Sequence, residues 1–432
     1  MLALIDASNF YVSCERVFRP SLNGRPVISL SNNDGCAIAR SNEAKALGIK
    51  MGQPWHEIRH LEEEAGLIAL SANFALYGDM SSRMMSIAAG LGPTQEIYSI
   101  DESFIGLDGV RGDLTKRSWA IRSRILQWTG IPCGIGIGPT KTLAKLANHI
   151  AKTADRKPGS YPESMATVCN LEALTASDLD ALFTATEVGE VWGVGRRIGQ
   201  QLRDAGVNTV LDLARLSLSL VRSRWGVVLE RTVRELQGQP CIGLEDAPPA
   251  KQQIACTRSF GHPITELPDL IEAISEFASR AAEKLRRQAN VAGQILVFVH
   301  TSPFRPGPRF SRSIVVPLMR PTADSRLLVQ SAVAGVRQIY QPGYRLSKAG
   351  IMLMDLGNEA TKQSELDLEP VEARDRTKLM MAMDALNDRY GRGTVHVGSA
   401  ARQHTPSDWA MRQDRLTPQY TTKWSDMPTA RA

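Results

Sequence analysis

The chain has 432 residues, 43% hydrophobic and 22% charged, proportions that exclude a disordered protein and a length that exceeds one ordinary core. Its net charge of +6 is too small to diagnose a nucleic-acid partner, and no apolar run approaches the roughly 18–20 residues that a bilayer span requires. Six cysteines without a CxxC pair give no zinc site readable from spacing and favour reduced thiols.

The first predicted element is the apolar run Leu2-Ala3-Leu4-Ile5, a buried strand that ends in Asp6. An acid inside the first strand argues against a signal peptide, so a cytoplasmic protein without a membrane partner is expected. Strand signals at residues 27–30 and 37–39 and a helix signal over 41–47, with Gly48 as its C-cap, come next. Asp101 and Glu102 follow the alternating residues 97–100, at the end of a second buried strand. Three carboxylates converging from two strands can hold two divalent cations, because carboxylate oxygens are hard ligands suited to Mg²⁺ or Mn²⁺. Two such ions about 3.5–4 Å apart align the attacking and leaving oxygens of an in-line phosphoryl displacement. Exposed strand-end acids that bind nothing are the plain alternative for such a pair.

Residues 140–151 form a strong helix signal with Lys141 and Lys145 four apart on one face, ordinarily a solvated face. At Trp192-Gly193-Val194-Gly195 the glycines precede a helix that ends near Gly206. This pattern suits a helix-hairpin-helix, whose backbone N–H groups approach a DNA phosphate, with Arg196, Arg197 and Arg203 adding charge. Pro248-Pro249 reads as a linker. Beyond it the signals run β-α-β-β-α-β, and residues 251–356 hold 14 Lys+Arg against 7 Asp+Glu. A localised basic excess is the footprint of a phosphate-tracking module. After residue 357 only 378–389 looks helical.

The blocks Asp6-Ala7-Ser8-Asn9-Phe10-Tyr11, Ser99-Ile100-Asp101-Glu102-Ser103 and the glycine-to-lysine segment from Gly134 to Asn148 resemble, in order, spacing and content, the palm motifs of Y-family translesion DNA polymerases. Within that family the likeness is to the UmuC branch, the catalytic subunits of bacterial DNA polymerase V and their plasmid-borne relatives. It extends through Val191-Trp192-Gly193-Val194-Gly195-Arg196-Arg197 and Thr301-Ser302-Pro303-Phe304 to Tyr420-Thr421-Thr422.

The resemblance implies an α+β multidomain right-hand polymerase. Its parts would be a palm at 1–20 and 74–165, small fingers at 21–73, a helical thumb at 166–247, a little finger at 251–356 and a partner-binding tail at 357–432. It implies that Asp6, Asp101, Glu102 and the Ala7 carbonyl hold two Mg²⁺ ions, for which Mn²⁺ substitutes. Tyr11 would be the steric gate that rejects a 2′-hydroxyl, and Phe10, facing the other way on extended backbone, would support it. Asn42 and Lys45 stand where many members carry a tyrosine and an arginine, a departure that implies a looser grip on the triphosphate, since the bidentate arginine fork is lost. Lys152 would reach the triphosphate, and Lys141 and Lys145 the phosphates or the primer-side backbone. Duplex contacts would come from Gly193, Gly195, Arg196, Arg258, Arg305, Arg309, Arg312 and Lys348. Gln363, Leu366 and Leu368 resemble a sliding-clamp peptide. The implied activity is error-prone, template-directed dNTP addition past damaged bases on primer-template DNA, in SOS mutagenesis, with a processed UmuD-type dimer, RecA and the clamp as partners. The competing readings are a non-catalytic DNA-binding accessory protein and a nucleotidyl cyclase on a similar palm, the latter having no duplex to hold.

Overall fold

The computed structural model describes residues 1–245, 250–358, 376–391, 393–400 and 411–429. One unit comprises Met1–Ser31, Gly35–Pro248 and Arg415–Ala432; a second comprises Asn32–Asp34 and Pro249–Asp414.

The first unit contains strands β1 (Leu2–Ala7), β2 (Val27–Leu30), β3 (Ala37–Arg40), β4 (Ile68–Ser71), β5 (Thr94–Ile97), β6 (Glu102–Gly106), β7 (Cys133–Gly138) and β8 (Val168–Asn170). Five of them form a sheet of order β5-β6-β1-β7-β8, and a smaller sheet runs β3-β2-β4. β1 is the middle strand, antiparallel to both β6 and β7. Helices cover both faces of the larger sheet, so Ala3, Leu4 and Ile5 are all buried and the strand reads as an unbroken apolar run.

The glycines of β7 explain how one helix reaches the site. Ile135 and Ile137 pack into the core shared with helices Phe74–Ala88 and Leu114–Thr129. On the other face lies helix Lys141–Arg156, so close that a Cβ on Gly136 would stand 2.1 Å from the Asn148 nitrogen and 2.4 Å from the Ala144 carbonyl oxygen. Only glycine permits that approach. Asn148 then ties helix to sheet, its amide donating to the carbonyls of Gly134 at 2.8 Å and Leu4 at 3.4 Å.

The helices between residues 176 and 236 share a core with Leu143, Leu146 and Ile150 of that helix. Glu235 joins the two parts. One carboxylate oxygen accepts from the Thr142 N–H and hydroxyl, and the other from the N–H groups of Cys241 and Ile242, each at 2.9 Å. A charge placed on a helix start in this way also meets the favourable end of its dipole.

The second unit has β9 (Ile254–Ile264), β10 (Asn290–Thr301), β11 (Ser311–Thr322) and β12 (Leu346–Asn358) in the antiparallel order β11-β10-β12-β9. Helices Leu267–Arg286 and Ser325–Ile339 cover one face, where Ile295, Val297, Val299, Ile351 and Leu353 are buried. The β-α-β-β-α-β order is the one the sequence predicts. All six cysteines are free. Among the described residues no helix is long and apolar enough to cross a membrane.

Candidate active site

Strand pairing brings the acids together. Asp6 lies opposite Glu102 in the β1–β6 register, and the Ala7 N–H donates to the Asp101 carbonyl at 2.9 Å. Burial is the main reason that the Asp6 carboxyl is pushed up to about 6; the Lys152 ammonium opposes the shift, and the charges of Glu102 and Asp101 add to it. Asp101 is held by Ser99, whose hydroxyl donates at 2.6 Å and also accepts from the Glu102 N–H at 3.0 Å.

Two lysines of helix Lys141–Arg156 answer this charge. Lys152 Nζ is 2.7 Å from Asp6 Oδ1 and donates to the Ala7 carbonyl at 3.1 Å. Lys145 Nζ donates to both oxygens of Glu102, at 3.1 and 3.0 Å, and lies over the rings of Tyr98 and Trp192. A cationic group therefore stands where the side chain of Asp6 and the carbonyl of Ala7 converge, which is the donor set a hard divalent cation requires. Among the described residues no three acids converge on one point; Asp6 is paired with Lys152 and Glu102 with Lys145. A cavity of about 300 Å³ opens here, bordered by Asp6, Glu102, Lys145, Lys152, Arg156 and Trp192.

Phe10 and Tyr11 begin helix Phe10–Phe18 rather than lying on extended backbone. Asn9, in a left-handed conformation at φ 49°, starts the helix. Helical geometry turns successive side chains by about 100°. Phe10 consequently enters the core, on a helix and not on the extended backbone expected of it, and this removes it from the nucleotide-binding residues expected here. Tyr11 stacks on Tyr77 with ring centres 4.4 Å apart at 14° and meets the edge of Phe74. Burial and the neighbouring Asp101 charge push its phenol upward.

Asn42 and Lys45 converge through Asn9, a residue the sequence reading did not single out. Asn9 donates to Asn42 Oδ1 at 3.0 Å and accepts from Lys45 Nζ at 2.5 Å. Burial, then Arg156, Arg40 and Lys152, lower the Lys45 amine to about 8. Ser99, Trp192 and Arg156 were also missed. Of these only Arg156, one turn beyond Lys152, carried a signal in its spacing.

Two expected DNA contacts are corrected. Lys141 is only 2% exposed, and its Nζ is 2.6 Å from Glu96 Oε2 and over the Phe104 ring. It faces inward because position 141 is the first turn of a helix whose start is clamped by Glu235. Arg258 sits half-buried on the helix-bearing face of its sheet, on the same side of β9 as Ile254 and Phe260, where Arg280 and Glu276 act on it. Arg305, Arg309 and Arg312 are exposed, and Lys348 sits opposite Ser259 on the uncovered face. Gly193 has φ 92°, and Gly195 precedes helix Arg196–Asp204 with Arg196 exposed. Gln363, Leu366 and Leu368 lie outside the described residues.

Known proteins resemble the chain from end to end. Residues 5–149 match the impB/mucB/samB family and 251–368 its C-terminal domain, while 377–430 match a domain of unknown function. Protein ImpB of Salmonella typhimurium is 44% identical with 100% of both chains covered. Protein UmuC of the LT2 strain is 43% identical over 99% of both. DNA polymerase IV of Pelotomaculum thermopropionicum is 27% identical, covering 91% of this chain and 94% of that one. A Y-family DNA polymerase chimera of known structure shares the fold at TM-score 0.64 and 16% identity, covering 83% of this chain and 99% of its own. The chain belongs to the impB/mucB/samB family and is a Y-family, DNA-directed DNA polymerase.

Proposed function

We propose that the chain is the catalytic subunit of a polymerase V-like assembly, adding dNTPs past damaged bases by a two-metal mechanism. The observation that carries this reading is the pairing of Asp6 with Glu102 across β1 and β6, Asp101 adjoining, with a cationic nitrogen on Asp6 and the Ala7 carbonyl. Asp6, Asp101, Glu102 and the Ala7 carbonyl would hold two Mg²⁺ ions, with Mn²⁺ able to substitute. Such ions lower the pKa of a primer 3′-hydroxyl and neutralise a departing pyrophosphate. Lys152 leaves Asp6 for the triphosphate, joined there by Lys45, Asn42 and Arg156. Lys145 steadies Glu102, and Tyr11 rejects the 2′-hydroxyl from its stack on Tyr77.

On this reading residues 1–20 and 74–165 are the palm, 21–73 the fingers, 166–247 the thumb, except that β8 at 168–170 completes the palm sheet beside β7, and 251–356 the little finger. Gly193, Gly195, Arg196, Arg305, Arg309, Arg312 and Lys348 hold duplex phosphates, contacts that carry no sequence information. A role in SOS mutagenesis, and partnership with a processed UmuD-type dimer, RecA and the sliding clamp through the tail, complete the proposal. The test is extension of a primer across an abasic template site with Mg²⁺ and dNTPs, with and without a UmuD-type dimer and activated RecA. Bypass lost on chelation supports the reading. DNA binding without extension under every condition overturns it.

The Lys45 amine gives this nucleotide grip a pH signature. It is protonated below about 8 and neutral above, so kcat/KM for dNTP is expected to fall as pH rises through that value. Lys45→Arg keeps its charge throughout and should flatten that limb. Equal pH profiles for the two proteins would remove Lys45 from the triphosphate site.

A further inference from the structure

The last described segment, 411–429, belongs to the C-terminal region whose family match names no function. Residues 415–420 fold back onto the first unit and end against the rear of the Tyr11 stack. Arg415 pairs with Glu62, covers the Trp55 ring and donates its N–H to the Ser71 hydroxyl at 3.0 Å. Leu416 bridges to Ser71, and the Tyr420 ring stacks on Phe18 at 4.7 Å and 6°. Between these anchors Thr417 is buried. Asn73 Nδ2 donates to its hydroxyl and carbonyl, both at 3.1 Å, and to the Pro418 carbonyl at 3.0 Å.

Thr417 in turn donates its hydroxyl to Glu15 Oε1 at 3.1 Å. Glu15 is fully buried, and the same oxygen accepts from the Tyr77 hydroxyl at 2.8 Å, while Oε2 has no hydrogen-bond partner among the described residues. Tyr77 is fully buried, and its ring is the one on which Tyr11 stacks. A carboxylate so enclosed depends on few donors, and losing one leaves it to pull harder on the other. The chain of contacts thus runs from tail to gate as Thr417, Glu15, Tyr77, Tyr11, each link buried or half-buried.

We infer that residues 415–420 form a sugar-selectivity strap: Thr417 is a positioning residue that, through Glu15 and Tyr77, holds Tyr11 where a ribose 2′-hydroxyl would strike it. The inference rests on the reading of Tyr11 as the gate. A gate works by contact, so a displacement of well under an ångström separates rejection from admission.

The test compares kcat/KM for a dNTP and its matching rNTP in single-nucleotide primer extension by the full-length wild type, Thr417→Val, Thr417→Ser, Tyr420→Leu and Tyr11→Ala. Thr417→Val keeps the shape and removes the donor. It should lower discrimination against rNTP about tenfold, the effect of one hydrogen bond to a charged group, with dNTP kcat/KM changed less than about twofold. Thr417→Ser should restore wild-type discrimination, and Tyr420→Leu should move it in the same direction as Thr417→Val by unstacking the strap's end. Unchanged discrimination in both Thr417→Val and Tyr420→Leu, or equal losses for both nucleotides, while Tyr11→Ala admits rNTP, overturns the strap alone. Discrimination unchanged in Tyr11→Ala overturns the gate and the strap with it.

Discussion

Asp6→Asn is expected to lose primer extension by roughly three orders of magnitude, about 4 kcal/mol of transition-state stabilisation, while the metal-free variant is at least as stable as the wild type. On the proposed two-metal reading, Asn keeps the shape and removes the charge that a divalent cation would require of this position. Stability moves the other way because burial penalises the Asp6 carboxylate more than Lys152 at 2.7 Å relieves it, raising its pKa from 3.8 to about 6. The folded chain therefore binds the Asp6 proton more tightly than the unfolded chain. The stability linked to this group is fully present below about pH 4 and is lost as pH rises through about 6. At pH about 7.5 the wild type carries a penalty of order 3 kcal/mol that the variant lacks. Thermal melts in chelator at pH about 7.5 and about 4, beside extension assays in Mg²⁺, check both halves. A variant that still extends primers, or that melts well below the wild type at the higher pH, would contradict the account.

Much of this site was legible in the chain because its parts are periodic or local. The strand ending in Asp6 is written as an unbroken apolar run and the second unit's sheet as an alternation of two, and the structure has both as strands. The strand expected over 97–100 instead stops at Ile97, and Asp101 lies in the bend before β6 begins at Glu102, because the chain reverses there to pair β5 with β6. The glycine run 134–138 is legible too, once a helix is seen to follow it. What escaped depends on contacts distant in sequence or on one local choice of backbone. Phe10 and Tyr11 read as extended because nothing nearby announces that Asn9 turns left-handed and starts a helix. Asn9 itself matters through residues 33 and 36 positions away. Thr417 meets Glu15 402 residues earlier, a pairing that no periodicity encodes. Helical spacing put Lys141 and Lys145 on one face, yet one is buried on Glu96 and the other borders the cavity. The difference lies in what covers the first turn, a tertiary fact that sequence spacing does not carry.

Lys141→Met should accordingly behave as a core mutation and not as the loss of a DNA contact. Methionine keeps the unbranched stem and removes the ammonium, leaving Glu96, itself buried, with the N–H of Glu245 at 2.7 Å as the remaining donor to Oε2. Breaking one side of a buried ion pair costs about 3–5 kcal/mol, because the surviving charge is uncompensated. Removing both charges is far milder, so Lys141→Met combined with Glu96→Gln should recover most of the loss. The helix that Lys141 begins also carries Lys145 and Lys152, so the single variant is expected to lose activity through a loosened helix start, and the double variant to regain it. Denaturant unfolding of the three proteins measures the stability cycle. The salt dependence of DNA binding supplies the contrast: a phosphate-contacting lysine would reduce the salt slope by about one and leave stability alone. Unchanged stability in Lys141→Met with a shallower salt slope would return Lys141 to the DNA surface; a destabilised single variant rescued by Glu96→Gln, with the slope unchanged, would fix it as part of the frame that aims the lysines behind it.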